Sequence, residues 1–228
     1  MPSSKPAGKP QAPSSLRRQP SQARAQQTMQ TLFKAAAQIL DKEGEGGLTT
    51  NKVAAAAGFS IGTLYQYFPS KEVLVRAMAA RGQALVLQQL EGYLSELETR
   101  ADVQQMDGRE LLGKAIHILL QGFAKGKGLS QTLIRLGWTL EKPDETANAV
   151  RQVADRLAVF FERIAHPALQ TPSTAQMFVL TRSVIGTLRS ASLEKSPLLG
   201  SPAFEDTLTQ MAWALLARAE SDARAGRA

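Results

Sequence analysis

The stretch LTTNKVAAAAGFSIGTLYQYF, residues 48–68, gives the clearest indication of the fold. It contains two short helical patterns joined by a turn of about four residues that includes Gly58. Thr49 or Thr50 can cap the first helix and Ser60 the second, because a hydroxyl accepts a hydrogen bond from a free first-turn amide. Gly58 suits the left-handed backbone that follows a helix C-terminus. Two helices joined in this way are typical of a helix-turn-helix.

The second of these helices, residues 61–68, divides on a helical wheel into an apolar side and an uncharged polar side. The apolar side carries Ile61, Leu64 and Phe68, and the polar side carries Gly62, Thr63, Gln66 and Tyr67. Threonine and glutamine can contact base edges, and a tyrosine hydroxyl can contact a phosphate. Tyr65 lies on the flank, where packing and groove contact both remain open. Lys71 starts the next helix and adds positive charge and a helix N-terminus for a phosphate.

Positive charge is concentrated near the N-terminus. Residues 1–80 hold ten lysines and arginines against four acidic residues, whereas the remainder holds seventeen against sixteen. Asp41 is the first acidic residue, so the basic residues well before it lack a nearby counterion in the sequence: Lys5, Lys9, Arg17, Arg18, Arg24 and Lys34. This asymmetry indicates a polyanionic partner, nucleic acid or an anionic membrane, with a solvated basic tail as the alternative.

The rest of the chain shows helical patterns and no strand-like alternation. Residues 1–20 are rich in proline, serine, glycine and lysine, a composition that predicts a disordered tail. A helix is expected from Ser21 to the GEGG at 44–47, and further helices at 108–125, 129–140, 144–165, 173–193 and 202–222. The predicted fold is all-α. A three-helix helix-turn-helix DNA-binding domain occupies residues 21–69, and a larger helical ligand-binding and dimerisation domain occupies residues 70–228.

Several function classes are disfavoured by what the sequence lacks. There is no cysteine, and His117 and His166 have no metal-ligand spacing. Without a histidine–carboxylate cluster or a glycine-rich phosphate loop, an enzyme is not expected, nor a cofactor or metal. No apolar run predicts a membrane helix or a signal peptide. The basic segment also lacks bulky apolar partners on one helical face, which argues against a membrane-surface protein.

Residues 24–78 resemble the N-terminal DNA-binding domain of the tetracycline-repressor (TetR) family of bacterial regulators. The likeness rests on the alanine-rich helix, the turn GFS, the sequence TLYQYF and the Lys-Glu that opens the next helix. It implies a phosphate contact at Thr50, base or groove contacts at Asn51, Ile61, Gly62, Thr63 and Tyr65, and backbone contacts at Gln66, Tyr67 and Lys71. Arg24 is added as a basic DNA-binding candidate. Ile61 departs from the polar residue that many relatives have there.

The C-terminal two-thirds is expected to hold an effector pocket and a dimer interface. The pocket candidates are aromatic and apolar residues with one histidine: His117, Phe123, Leu133, Trp138, Phe161 and Met177. Each could equally be plain core. The interface candidates form stripes on the last two helices: Phe178, Ile185, Leu188, Phe204, Leu208, Met211 and Leu215. The resemblance implies a four-helix bundle between subunits there, while the alternative is that both stripes face their own core.

The function expected from these features is a cytoplasmic, homodimeric, ligand-responsive regulator. It is expected to act as a repressor that a small apolar or amphipathic effector releases from a palindromic double-stranded DNA operator. The alternative is a constitutive or architectural DNA-binding protein without an effector. A filled C-terminal core without a cavity would favour that alternative.

Overall fold

A computed structural model describes residues 19–124 and 131–218, and the described chain is helical. The helices are α1 (Gln19–Gly47), α2 (Thr50–Ala56), α3 (Ile61–Tyr67), α4 (Lys71–Thr99), α5 (Gly108–Ala124), α6 (Gln131–Leu140), α7 (Pro143–Ile164), α8 (Thr174–Leu193) and α9 (Pro202–Leu216). A 3-10 turn, Val103–Gln105, lies between α4 and α5. The all-α prediction is confirmed, whereas the predicted tail up to residue 18 lies outside the described residues.

Side-chain caps define the ends of the first short helices. Thr49 accepts from the Lys52 amide at 3.3 Å, and Ser60 accepts from the Thr63 amide at 3.1 Å. Ser70 caps α4 through the Val73 amide. Gly58 has a φ of +72°, the left-handed conformation predicted for it. The order α2, turn, α3 is therefore fixed locally, by residues that the sequence itself identifies.

A first hydrophobic core joins α1, α2, α3 and the start of α4. Its fully buried members include Leu32, Val53, Leu64 and Leu74. Leu133 of α6, more than fifty residues further along the chain, belongs to the same cluster and is 1% exposed. Helix α6 thus completes the core beneath the helix-turn-helix.

A second core lies among α4, α5, α7, α8 and α9, and α6 also contributes to it through Ile134 and Trp138. Glycine allows α4 to approach its neighbours closely. A Cβ at Gly122 would lie 2.1 Å from the Val86 Cγ2, and one at Gly137 would lie 2.6 Å from the Ala79 Cβ. Helices α5 and α6 are therefore seated directly on α4, which runs from the helix-turn-helix into the second core.

The later helices begin and end close to their predicted limits. α7 has Pro143 in its first turn, and α9 has Pro202 there, beside the Ser201 cap. α8 starts with a capping box in which Ser173 and Gln176 exchange hydrogen bonds. α9 ends at Leu216, earlier than the predicted 222. The predicted break at 126–128 lies outside the described ranges.

Two further observations concern the described ranges as a whole. None of their helices has the length and apolar character needed to span a bilayer. Their histidine, aspartate and glutamate side chains form no group of three that could hold a metal ion.

Candidate nucleic-acid interface and ligand cavity

Helix α3 presents an uncharged surface. Leu64 is completely buried and Phe68, at the helix end, is 4% exposed, so these two side chains hold the helix on the first core. Gly62 and Gln66 are exposed, Ile61 is 36% exposed and Tyr65 is 49% exposed. Ile61, predicted on the apolar side, is therefore partly available at the surface.

A hydrogen bond ties the exposed face of α3 to the start of α2. The Tyr65 hydroxyl lies 3.2 Å from the Thr50 hydroxyl. Asn51, the next residue of α2, is exposed beside it. The structure thus brings together Thr50, Asn51 and Tyr65, and it places the Tyr65 ring at the surface and not in the core.

The Thr63 hydroxyl is engaged within the protein. It lies 2.9 Å from the Ser60 hydroxyl, which also accepts the Thr63 amide. The free hydroxyl expected at Thr63 is therefore part of the α3 cap. The Thr63 γ-methyl takes no part in this cap.

Tyr67, Lys71 and Arg24 are the remaining predicted DNA contacts. Tyr67 was expected to look outward, but it is half-buried and packs against the first core beside Phe68. Lys71 is half-buried at the first position of α4, and Arg24 is exposed on α1. The sequence contains no acidic residue between Glu45 and Glu72, so this region favours an anion.

A cavity of about 90 Å³ lies within the second core. Its walls come from several helices, with Leu90 and Leu94 on α4, Ile116 on α5, Phe161 on α7 and Val184 on α8.

Two of the residues that line this cavity have hydroxyls, and both hydroxyls are already hydrogen-bonded. Tyr93 donates to the Leu111 carbonyl at 3.1 Å, and Thr181 donates to the Met177 carbonyl at 2.8 Å. Burial raises the pKa of Tyr93 to about 12, so the phenol stays neutral. The cavity is therefore chemically apolar.

The six predicted pocket residues are dispersed. Phe161 lines the cavity. Phe123, Leu133 and Trp138 line a separate cleft of about 10 Å³ between α4, α5 and α6. His117 does not belong with them, because its side chain is 49% exposed and its Nδ1 lies 2.9 Å from the Glu205 carboxylate. Met177 is buried core and lines neither space.

The apolar stripe of α4 was the signal that sequence reasoning missed. Leu87, Leu90, Leu94 and Leu97 recur at steps of three and four residues and all line the cavity. Their spacing predicts one buried helical face, and the length of α4 carries that face past the first core into the second.

The predicted interface residues divide between surface and core. Phe178 is 57% exposed on α8, next to Val179 at 52%. Leu188 and Leu208 are 1% and 4% exposed and pack in the second core, as expected in the alternative in which the stripes face their own subunit. Ile185 lines the cavity, and the remaining candidates are half-buried against the second core: Phe204, Met211 and Leu215. Phe178 and Val179 are therefore the most exposed large apolar side chains of α8.

Comparison with known proteins agrees with this geometry. Residues 32–78 match the family model described as bacterial regulatory proteins, tetR family. A putative TetR-family transcriptional regulator from Mesorhizobium loti has a similar structure, with a TM-score of 0.58 and 17% identity, covering 84% of this chain and 94% of that chain. No curated protein matches this sequence.

Two further solved structures share the fold. NalD, the secondary repressor of the MexAB-OprM multidrug efflux pump in Pseudomonas aeruginosa, has a TM-score of 0.54 and 18% identity, covering 85% of this chain and 98% of that one. The fatty acid degradation regulator FadR from Bacillus halodurans has a TM-score of 0.58 and 16% identity, covering 82% and 94%. The resemblance seen in the sequence is confirmed, and regulators of this family are non-enzymatic DNA-binding transcription factors. Residues 32–78 of this chain thus match the tetR family of bacterial regulatory proteins, and its described helices have the fold seen in structures of TetR-family transcription regulators.

Proposed function

We propose that this protein is a cytoplasmic, dimeric transcriptional repressor that a small apolar effector releases from a palindromic operator. The observation that carries the DNA-binding half is the α3 surface, where exposed Gly62, Tyr65 and Gln66 stand on a helix anchored by Leu64. Its groups suit base edges in a major groove, and the acid-free segment around it suits phosphates.

The proposed contacts follow from position. Asn51, Ile61, Gly62, Thr63 and Tyr65 face the major groove, while Thr50, Gln66, Tyr67, Lys71 and Arg24 hold the backbone. The bond between Thr50 and Tyr65 couples these two sets, since it fixes the Tyr65 ring relative to a phosphate-facing hydroxyl. Phosphate contacts supply affinity and register, and groove contacts supply sequence preference.

The experiment that tests this half is selection of bound duplex DNA from a random pool by the full chain. A two-fold protein is expected to select an inverted repeat with half-sites about 34 Å apart, or a multiple of that distance. Selection of a single unrepeated site would contradict the dimer, and absence of any enriched sequence would contradict sequence-specific binding.

The effector half rests on the apolar cavity. The cavity volume of about 90 Å³ is smaller than that of a cavity of roughly 150 Å³ in T4 lysozyme, which takes up benzene. A ligand the size of benzene or larger must therefore move the cavity walls. Because α4 is one of these walls and leads directly to α3, a conformer widened by the ligand has a different α3 position. The effector favours that conformer only if it binds it better than the DNA-bound one.

The matched variants for the effector are Ala115→Phe, which fills the cavity lining, and His117→Ala, which lies two residues away and outside it. The amphipathic dye 1-anilinonaphthalene-8-sulfonate is expected to bind the native chain and His117→Ala, to bind Ala115→Phe weakly, and to reduce DNA affinity only where it binds. Equal dye binding by all three would place the site elsewhere. Dye binding without any change in DNA affinity would favour a constitutive DNA-binding protein.

A further inference from the structure

The surface formed by α2 and α3 lacks the side chains that read G·C pairs. Arginine and lysine are the usual partners of guanine in the major groove, and aspartate and glutamate accept from cytosine. α3 carries no charged residue, and α2 carries one, Lys52, which is paired with Glu43. Direct recognition by this surface therefore depends on amides, hydroxyls and methyl groups.

Methyl groups are available at two neighbouring positions. Ile61, at the start of α3, is 36% exposed. The Thr63 hydroxyl is bonded to Ser60 at 2.9 Å, and its γ-methyl takes no part in that bond. In the major groove the apolar feature of a base pair is the thymine C5-methyl. The Ile61 side chain and the Thr63 γ-methyl thus match thymine, and neither group can accept from the cytosine amino group.

An amide is available on the same face. Gln66 is exposed one helical turn after Gly62, and the absence of a side chain at Gly62 lets the backbone come near the groove. A carboxamide donates and accepts at once, which matches the N7 acceptor and N6 donor of adenine. Asn51 of α2 adds a second exposed carboxamide.

We infer that the base pairs facing α3 in the operator half-site are A·T pairs, with thymine methyls against Ile61 and Thr63 and an adenine opposite Gln66. This inference rests on the proposed DNA-binding function and specifies the DNA that it recognises. It also reassigns Gln66, which the family resemblance places on the backbone, to a base edge.

The test begins with the site selected from the random pool and then replaces single thymines by deoxyuridine, which removes only the C5-methyl. Replacing a contacted thymine is expected to lower the affinity for the duplex about fourfold, the equivalent of one buried methyl group. Replacing a thymine outside the α3 contacts is expected to leave the affinity unchanged. Uniform tolerance of deoxyuridine across the half-site would overturn the methyl contacts.

Two variants of Thr63 separate its methyl from its hydroxyl. Thr63→Ser keeps the bond to Ser60 and removes the methyl. At one thymine position of the site, this variant should therefore bind the thymine and the deoxyuridine duplex with equal affinity. Thr63→Val keeps the methyl and should retain the fourfold preference, even if its lost cap lowers stability. The reverse pattern, with serine discriminating and valine not, would overturn the inference.

Gln66→Glu tests the adenine contact in the same selection. A carboxylate accepts from the cytosine N4 and cannot donate to adenine N7, so the enriched base is expected to change from adenine to cytosine at one position. G·C pairs at the α3 positions of the native site would overturn this inference and leave the proposed regulator intact. A pool without any enriched sequence would overturn the proposed function itself.

Discussion

Leu64 and Gln66 are two positions apart on α3 and have opposite surroundings. Leu64 has no exposed surface, whereas Gln66 is exposed. Leu64→Ala is therefore expected to lower the free energy of unfolding by about 2–5 kcal/mol, the range for a buried leucine truncation. Gln66→Ala is expected to change it by less than about 0.5 kcal/mol while weakening DNA binding.

Chemical denaturation and DNA titration of both variants distinguish these roles. The two measurements should respond in opposite ways, with stability lost in the leucine variant and operator preference lost in the glutamine variant. A stable Leu64→Ala protein would show that α3 is held by something other than the first core.

At this scale the sequence predicted the anchors better than the contact groups. Leu64 and Phe68 follow from helical period alone, because burial of an apolar stripe is a local consequence of amphipathicity. The positions of Tyr65 and the Thr63 hydroxyl do not, since each depends on a partner outside the period. Tyr65 bonds to Thr50 across fifteen residues, and Thr63 bonds back to its own cap.

At the scale of one element, Gly122 of α5 and Gly137 of α6 determine how closely these two helices approach α4. Gly122→Ala would bring a Cβ within 2.1 Å of the Val86 side chain, and a β-branched residue has little freedom to move aside. We expect a loss of about 1–3 kcal/mol in the free energy of unfolding, as for other overpacked cores. Val86→Ala in the same chain should recover part of that loss, measured as a positive coupling in a double-mutant cycle.

Gly92 supplies the control on α4 itself. It is exposed and a Cβ there would meet no atom within 4 Å, so Gly92→Ala should stabilise the protein by about 0.5–1 kcal/mol. A loss of stability in both alanine variants would mean that the glycines are needed for backbone conformation and not for helix separation.

Arg156 joins α7 to α4 and gives that contact a pH dependence. Its guanidinium donates two hydrogen bonds to Glu91 at 2.8 and 2.9 Å and one to Glu98 at 2.9 Å. The hydrogen bonds from Arg156 hold the pKa of Glu91 below its ordinary value of 4.5. A depressed folded-state pKa stabilises the protein above pH 4.5, and this contribution disappears as the pH falls through the lowered value.

Arg156→Gln is therefore expected to cost about 1 kcal/mol at pH 7, kept small because Glu91 is half-exposed, and progressively less as the pH falls below 4.5. Unfolding of the variant and of Arg163→Gln, whose exposed side chain contacts Glu98 at 3.4 Å only, checks this. The control should lose less at pH 7. A difference between native chain and Arg156→Gln that does not shrink as the pH falls below 4.5 would assign the effect to packing.

Element ends were predictable because their signals are local. Ser60, Ser173 and Ser201 each cap the helix expected from the sequence, and Pro143 and Pro202 lie in first turns. Which helices pack together was not predictable. The pairing of Glu91 with Arg156 spans 65 residues, and the burial of Leu188 depends on which face of α8 meets the helices packed around it.

At the scale of the whole molecule, the exposed pair Phe178 and Val179 is the surface that we propose for the contact between subunits. Phe178→Glu is expected to convert a dimer to monomers in sedimentation velocity without unfolding the chain, since the side chain is 57% exposed. Affinity for a full inverted repeat should fall by more than tenfold, while the weak affinity for one half-site stays unchanged.

Leu198→Glu is the matched control, because Leu198 is 55% exposed but lies between α8 and α9. It should leave the mass and the DNA affinity unchanged. A dimer that survives Phe178→Glu would place the contact on another face of the second core.

Helix α6 has a consequence for chimeric proteins made from this chain and a relative. Leu133 lies in the first core, and Ile134 and Trp138, on the same helix, lie in the second. The predicted division at residues 69–70 therefore coincides with a linker in sequence but not with a seam in packing. A chimera that takes residues up to 69 from this chain and the remainder from a relative would pair α1 with a foreign α6. Grafting the proposed DNA specificity of this protein onto a relative thus requires residues 131–140 to be transferred with the helix-turn-helix, or Leu133 to be matched in the recipient.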